Sequence, residues 1–329
     1  MNELSTKEKV LAFLKSREGT AVSGKELAEY AGVSGNAVWK AVNTLREAGY
    51  NINAKRNSGY ALMPSNVLSK EEIGEYLSDP RLCEKLEVFK TVGSTNTLAK
   101  QYAAEHGCTE PVEKIFVANE QTAGRGRQGR SFYSPEGTGI YMSFLINPGM
   151  NSAEAVRITT ASSVAVCMAI EKVFGINPVI KWVNDVYLGD RKICGILTEA
   201  VTDFETGMVD SVVIGIGVNV FTEDFPEEIA DIAGSLTAMG EADRNRLTAE
   251  IINFMTGLCR TENGRLVIGD YIDEYKKRSM VIGKRIKILN TNEVVLAEDI
   301  DKSGGLVVRL SDGTTKVLGS GEISIRVTE

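Results

Sequence analysis

One stretch constrains the fold of this chain more than any other: residues 113–148, "EKIFVANEQTAGRGRQGRSFYSPEGTGIYMSFLINP". Lys114–Ala118 and Ile140–Ile146 are apolar runs of strand length, and a loop rich in glycine and arginine joins them. The core of that loop, "GRGRQGRS" at 124–131, is close in spelling to a phosphate-binding P-loop, with Arg130 where that motif needs lysine. A working P-loop also needs a helix directly after its Lys-Ser/Thr pair, and Pro135 with the neighbouring glycines forbids one. A solvated arginine–glycine tail is excluded by the strands on either side. What remains is a loop built into a folded domain, whose glycine N–H groups and arginines can wrap a polyphosphate or a carboxylate.

The surrounding segments read as α/β elements. "CEKLEVFKTVGSTNTLAKQYAAEHG" predicts a strand ending at Val92, a turn at Gly93 and then a helix. Ser94, Thr95 and Asn96 fall at the helix start, where such residues either cap the helix or line a pocket at a strand end. "VIKWVNDVYLGDRKICGILTEAV" adds a strand pair. Its Lys181, beside Trp182, is either a snorkelling edge lysine or one with an anionic partner, because an unpaired buried ammonium is costly. "RKICGILTEA" and "DSVVIGIGVNVF" are two further strands, in which Gly195 and Gly217 permit close approach and Asn219 supplies a polar tip.

A length of 329 residues predicts two or three domains, and 43% hydrophobic with 25% charged residues describes a globular chain. No apolar run is long enough to span a bilayer, and "MNELSTKEKV" lacks a signal-peptide core. The five cysteines are scattered with no C-x-x-C pair, which predicts reduced thiols in the cytoplasm. His106 is the single histidine, so no zinc site is expected, and it precedes a glycine in an apparent loop. The net charge of −7 argues against a nucleic-acid coat, yet residues 1–65 carry nine Lys/Arg against six Glu. A mildly basic head on an acidic body suggests that only the head meets polyanions.

The head has a specific layout. "STKEKVLAFLKSREG" predicts a helix with a Ser/Thr cap; Ser23 can cap a second helix, Gly32 a turn, and Ser34 a third helix. Ala37, Val38, Ala41, Val42 and Leu45 give the third helix an apolar stripe, which leaves Asn36, Trp39, Lys40 and Asn43 facing outward. "YNINAKRNSGYALMP" then predicts a hairpin with a basic tip at Lys55 and Arg56. Helix pair plus wing favours DNA reading through Ser34, Asn36, Trp39, Lys40, Asn43, Lys55 and Arg56 over a protein-interaction domain with a solvated polar face. Pro64 ends the hairpin, and "LSKEEI" starts a new helix with a capping box, which puts a boundary near residue 65. At the other end, residues 280–329 alternate apolar and polar, with turns at "NTNE", "KSGG" and "SDGT", predicting a small β-barrel.

"GSTNTLA", "GRGRQGRSF", "KWVNDVYLGDRKICGIL" and "VVIGIGVNV", in this order, resemble the biotin protein ligase family. With the winged head in front, the chain is similar to the bacterial biotin ligases that double as biotin-operon repressors. The resemblance implies an α+β multidomain protein: a winged helix-turn-helix over 1–65, a mixed α/β ligase domain of class II synthetase type over 66–278, and an SH3-like barrel over 279–329. It implies an AMP-forming reaction in which the biotin carboxylate attacks the α-phosphate of ATP, with Mg²⁺, and the biotinyl group then passes to a lysine of a biotin carboxyl carrier protein. By the family pattern Ser94, Thr95, Asn96 and Gln121 contact biotin, Arg125, Gly126 and Arg127 cover biotin and phosphate, and Lys181 bridges carboxylate and α-phosphate. Phe132 stacks on adenine, Gly195 lets the ligand approach, and Asn219 and Arg326 reach the nucleotide side. Biotinyl-5′-AMP as corepressor, a ligand-promoted homodimer and a biotin operator complete the implied partners, with none of them a membrane. Two departures stand out: Val183 replaces the usual proline, which should alter strand rigidity more than chemistry, and Phe132 replaces the usual tryptophan, a smaller face for adenine. A lipoate-type ligase and a non-enzymatic ligand sensor are the competing readings; motif order and the winged head speak against the first.

Overall fold

The computed structural model describes residues 4–47, 50–55, 59–63, 67–147, 155–202, 209–237, 243–262, 265–289, 291–319 and 325–327. They form two compact units, residues 1–67 and 68–329. In the first, helices Thr6–Lys15, Gly24–Ala31 and Gly35–Glu47 precede a hairpin of Ile52–Lys55 with Gly59–Leu62. Ser5 with Glu8, and Ser23 with Glu26, form complete capping boxes, so local chemistry sets where the first two helices begin. Gly32 stops the second at φ 68°, a left-handed conformation that side chains disfavour. Val38, Ala41, Val42 and Leu45 of the third helix bury against Val10, Leu14 and Leu27, with Ala37 half-buried at the edge of the stripe. The hairpin is tied to the helices where Val22 and Tyr60 exchange hydrogen bonds of 2.8 Å.

The second unit is organised by a seven-stranded sheet. Its strands run, in spatial order, Leu86–Phe89, Lys114–Ala118, Gly139–Ile146, Val209–Asn219, Arg191–Thr202, Asp185–Leu188 and Val179–Lys181. The first pair is parallel and every other pair antiparallel. Because side chains alternate along a strand, each strand feeds two faces. Ile115, Val117, Phe144, Val212 and Ile214 join the main core, into which the helices Ala155–Phe174 and Arg244–Leu258 also pack. Phe116, Leu145 and Val213 point the other way, under Ala99 of the helix Thr95–His106. Residues 285–327 supply a five-stranded antiparallel sheet whose Ile286, Ile288, Val295, Ala297 and Leu306 continue the main core.

Three expectations need adjustment. The strand that leads to residues 94–96 ends at Phe89; Val92 makes only an isolated bridge to Gln121. The helix Lys70–Glu75 has half of its expected capping box: Ser69 Oγ accepts from the Glu72 N–H, but the Ser69 N–H donates to Asn245 Oδ1 at 2.9 Å, and the Asn245 amide binds Glu72 Oε2 at 2.7 Å. His106 is the last residue of its helix rather than a loop residue, stacked on Tyr102 with centroids 4.4 Å apart. All five cysteines are free thiols. No helix among the described residues is long and apolar enough to cross a membrane.

Candidate active site

The site follows from what the second face of the sheet lacks. Antiparallel register aligns Tyr141, Gly217 and Gly195 in one row across three strands, and Ser143, Gly215 and Leu197 in the next. Three glycines in two adjacent rows remove the side chains that would otherwise fill this face, leaving a floor of bare backbone. What stands on that floor is close: a Cβ at Gly215 would lie 2.1 Å from Asn96 Oδ1, and one at Gly217 2.5 Å from the Phe132 ring. The cavity above has a volume of about 390 Å³.

One end of the cavity is a hydrogen-bonded polar cluster. Ser94, Thr95 and Asn96 at the helix start are buried, and Ser94 makes no side-chain cap. Gln121 Oε1 accepts from the Thr95 N–H at 2.9 Å, and Gln121 Nε2 donates to Ser134 Oγ at 3.0 Å. Ser143, fully buried on the floor, sets its hydroxyl 2.6 Å from Asn96 Oδ1 and 2.7 Å from Thr95 Oγ1. Asn96 Nδ2 donates to Glu199 Oε2 at 2.8 Å, and the same carboxylate receives Lys100 at 2.5 Å and Arg125 at 3.7 Å. Burial works against ionisation of Glu199, but the bonds from Lys100 and Asn96 outweigh it and hold the carboxyl below its ordinary pKa.

The other end is cationic. Arg127, Lys181 and Lys192 all line the cavity. Arg127 Nη1 donates to Asn184 Oδ1 at 3.0 Å, and Asn184 is itself fixed to the sheet by its amide on the Ile196 carbonyl at 2.7 Å. Burial lowers the Arg127 pKa, with Asp185 pulling it back up. Lys181 closes its strand opposite Asp185, with Nζ 5.6 Å from the Tyr187 ring centroid. Lys192 Nζ is 2.7 Å from Asp185 Oδ1. Three cations around one carboxylate leave a positive excess suited to a phosphate or carboxylate.

Between the two ends lies the arginine-rich loop, folded as a tight hairpin. Phe132 N–H donates to Gly124 O at 2.9 Å and Gly126 N–H to Arg130 O at 2.7 Å, with Gln128 and Gly129 at positive φ in the tip. The expectation that glycine N–H groups face an anion is therefore corrected at Gly126, whose N–H closes the hairpin. Gly124 is needed for close packing: a Cβ there would be 2.4 Å from Phe132 O. The Phe132 ring lies over Gly195 and Gly217, edge-on to Tyr141.

A chain with this site and order of elements has clear relatives. Residues 88–219 match the Biotin/lipoate A/B protein ligase family, 6–61 an HTH domain, and 281–326 the Biotin protein ligase C terminal domain. The Bifunctional ligase/repressor BirA of Bacillus spizizenii is 35% identical, the match covering 95% of this chain and 97% of that protein. This chain belongs to the biotin protein ligase family. The BirA protein of Escherichia coli is 29% identical across 98% of this chain and 97% of its own length. Among solved structures, the biotin protein ligase from Aquifex aeolicus in complex with biotin and ATP superposes with a TM-score of 0.59 at 27% identity, covering 74% of this chain and all of that one.

Of the residues expected in the ligase site, Ser94, Thr95, Asn96, Gln121, Arg125, Gly126, Arg127, Phe132, Lys181 and Gly195 line one cavity. Asn219 stands apart from that lining: its Nδ2 donates to Gly234 O at 3.1 Å and holds the following loop to the strand end. Arg326 pairs with Lys287 in the C-terminal sheet, and its side chain lies outside the described residues. Val183 is in the turn after the Lys181 strand, not in a strand, so the rigidity expected to change is that of the turn. In the helix-turn-helix, Ser34, Asn36, Trp39 and Lys40 are exposed and Asn43 half-buried on the face opposite the core; Lys55 is in the hairpin strand, and Arg56 is outside the described residues. Sequence reasoning missed Asn184, Asp185 and Lys192, which line the cavity, and Ser143 and Glu199, which bond side chains that line it. Ser143 carried a usable signal, a hydroxyl inside the apolar run "IYMSFLI"; Lys192 and Glu199 become neighbours of the cavity only through strand register.

Proposed function

We propose that this protein is an ATP-dependent biotin protein ligase that forms biotinyl-5′-AMP, passes biotin to a lysine of a biotin carboxyl carrier protein, and with biotinyl-5′-AMP bound represses transcription from a biotin operator. The observation that supports it best is the join, on one glycine floor, of a buried polar cluster and a group of three cations. The polar end suits a flat ring bearing N–H and C=O groups, and the floor suits its apolar flank. The cationic end suits a carboxylate in contact with a phosphate. In this reading Thr95, Asn96, Gln121 and Ser143 orient the biotin ring. Arg125 and Arg127 draw the carboxylate and the α-phosphate together, and Lys181 neutralises charge that grows on the phosphoryl oxygens as pyrophosphate leaves. No proton has to be moved in that step, so a site without histidine serves it. The arginine loop keeps water from the mixed anhydride until a carrier lysine attacks the acyl carbon and AMP departs.

Among the described residues no group of three His, Cys, Asp or Glu is arranged to hold a metal ion; Mg²⁺ would enter with ATP and would supply charge neutralisation there. Residues 1–65 take the operator, 66–278 the ligase chemistry and 279–329 the nucleotide flank through Arg326. A homodimer promoted by the adenylate would present two reading helices to two half-sites, which couples ligand to DNA. A transfer assay with biotin, ATP and a carrier domain tests the enzyme directly: labelled carrier is expected, and pyrophosphate exchange with lipoate alone would replace this reading with the lipoate-type one. Lys181→Ala should lower adenylate formation by about 10²-fold or more, as removal of a preorganised charge does. Wild-type rates in that variant would remove Lys181 from the mechanism, whereas absence of adenylate formation by the wild type would favour a ligand sensor over an enzyme. Deleting residues 1–65 should abolish operator retention and leave biotinylation.

A further inference from the structure

Glu199 has no part in the chemistry outlined above, yet it joins three side chains behind the polar end of the cavity. Its carboxylate receives the Asn96 amide at 2.8 Å, Lys100 at 2.5 Å and Arg125 at 3.7 Å, so a helix start, a helix side and the arginine loop all meet on one strand residue. The side chain is 17% exposed and Asn96 4% exposed, so both sit where a lost partner is not replaced by bulk water.

The geometry points to Glu199 as a positioning residue for the biotin ring: it holds the Asn96 amide with its oxygen over the floor and its nitrogen turned away. Asn96 has two N–H groups, and these are directed to Glu199 Oε2 and, at 3.4 Å, to the Leu197 carbonyl. A carboxylate can only accept, so it selects the nitrogen side of the amide and leaves Oδ1 on the side of Ser143 and Gly215. The amide oxygen and the Thr95 hydroxyl oxygen, whose own proton goes to Gln121 Oε1 at 3.1 Å, then form an acceptor-rich wall. Such a wall favours a ring that carries N–H donors and is neutral toward a ring of carbon and sulfur alone. Lys100 balances the charge of Glu199, and Arg125, at the longest of the three contacts, ties the loop to the same anchor.

This inference rests on the biotin-ligase reading, and a double-mutant cycle separates the two. Biotin KM, ATP KM and kcat for adenylate formation are measured in the full-length wild type, Glu199→Gln, Asn96→Ala and the double variant. A glutamine side chain carries no charge and its amide can face Asn96 either way. Glu199→Gln should therefore raise biotin KM about tenfold with ATP KM and kcat near wild type, the size expected for one charge-assisted hydrogen bond. Added to Asn96→Ala it should raise biotin KM by less than about twofold further, because the residue through which it acts is gone. If Glu199→Gln leaves biotin KM unchanged, or multiplies the Asn96→Ala effect in full, the positioning role is overturned. A common rise in both KM values together with a lowered Tm would mark Glu199 as a structural support only and overturn it as well. Should the wild type form no adenylate with biotin, the ligase reading itself fails.

Discussion

The two faces of the seven-stranded sheet come from the same strands and do opposite work. From Val212 to Asn219 the even positions are Val212, Ile214, Ile216 and Val218, all buried, whereas the odd positions are Val213, Gly215, Gly217 and Asn219. One face is filled by branched side chains against two long helices, and on the other the glycines make room for the Asn96 and Phe132 side chains that line the cavity. A period of two therefore lets adjacent residues in one strand serve stability and binding independently. The comparison implies that damage to one face should leave the other function intact.

The largest test is Gly215→Val. Its Cβ would sit 2.1 Å from Asn96 Oδ1, so biotin-dependent pyrophosphate exchange should fall by about 10²-fold or more while far-UV circular dichroism stays native. Ile214→Ala, one residue earlier on the opposite face, should behave in reverse: denaturant unfolding should show a loss of about 2–5 kcal/mol, with biotin KM unchanged in the folded fraction. Equal effects on KM from both would break the independence of the faces. Ser143→Ala is intermediate, since it strips the hydroxyl that both Thr95 and Asn96 meet; a rise of about tenfold in biotin Kd by calorimetry is expected, near the cost of one unsatisfied buried partner. The smallest effect is on pH dependence. The Glu199 pKa is lower in the folded protein than its ordinary 4.5, so the unfolded chain binds the proton more readily. Its stabilising contribution is present above pH 4.5 and is lost as pH falls through the folded value. Glu199→Gln should flatten the acid limb of Tm against pH below 4.5 without changing the limb at neutral pH, whereas an unchanged acid limb would show that other carboxylates carry it.

Much of the fold was open to sequence reading, and the reason differs by region. The head is legible because its signals are local: Ser5 with Glu8 and Ser23 with Glu26 cap helices three residues away, and Gly32 ends one by its own φ. Residues 94–96, 125–127 and 181 were legible as cavity candidates from small polar groups at a helix start, arginines in a glycine loop and a lysine on an apolar strand, although helix capping and an edge lysine were open alternatives for 94–96 and 181. Ser69 shows where locality fails: its helix has the expected sequence, but Asn245, 176 residues away, takes the N–H that a capping box would assign to Glu72.

By itself, then, the chain's sequence determined the winged head, the alternating strands, the glycine-arginine loop between two of them and the family they belong to. Tertiary structure alone decided that Gly195, Gly215 and Gly217 form one floor, that Glu199 collects Asn96, Lys100 and Arg125, and that Lys192 joins Lys181 and Arg127 around Asp185. Helix caps and strand alternation are set by neighbours within a few residues. Strand register joins residues far apart in the chain, and only after the sheet is paired do the glycines make room for Asn96 and Phe132 beside one cavity.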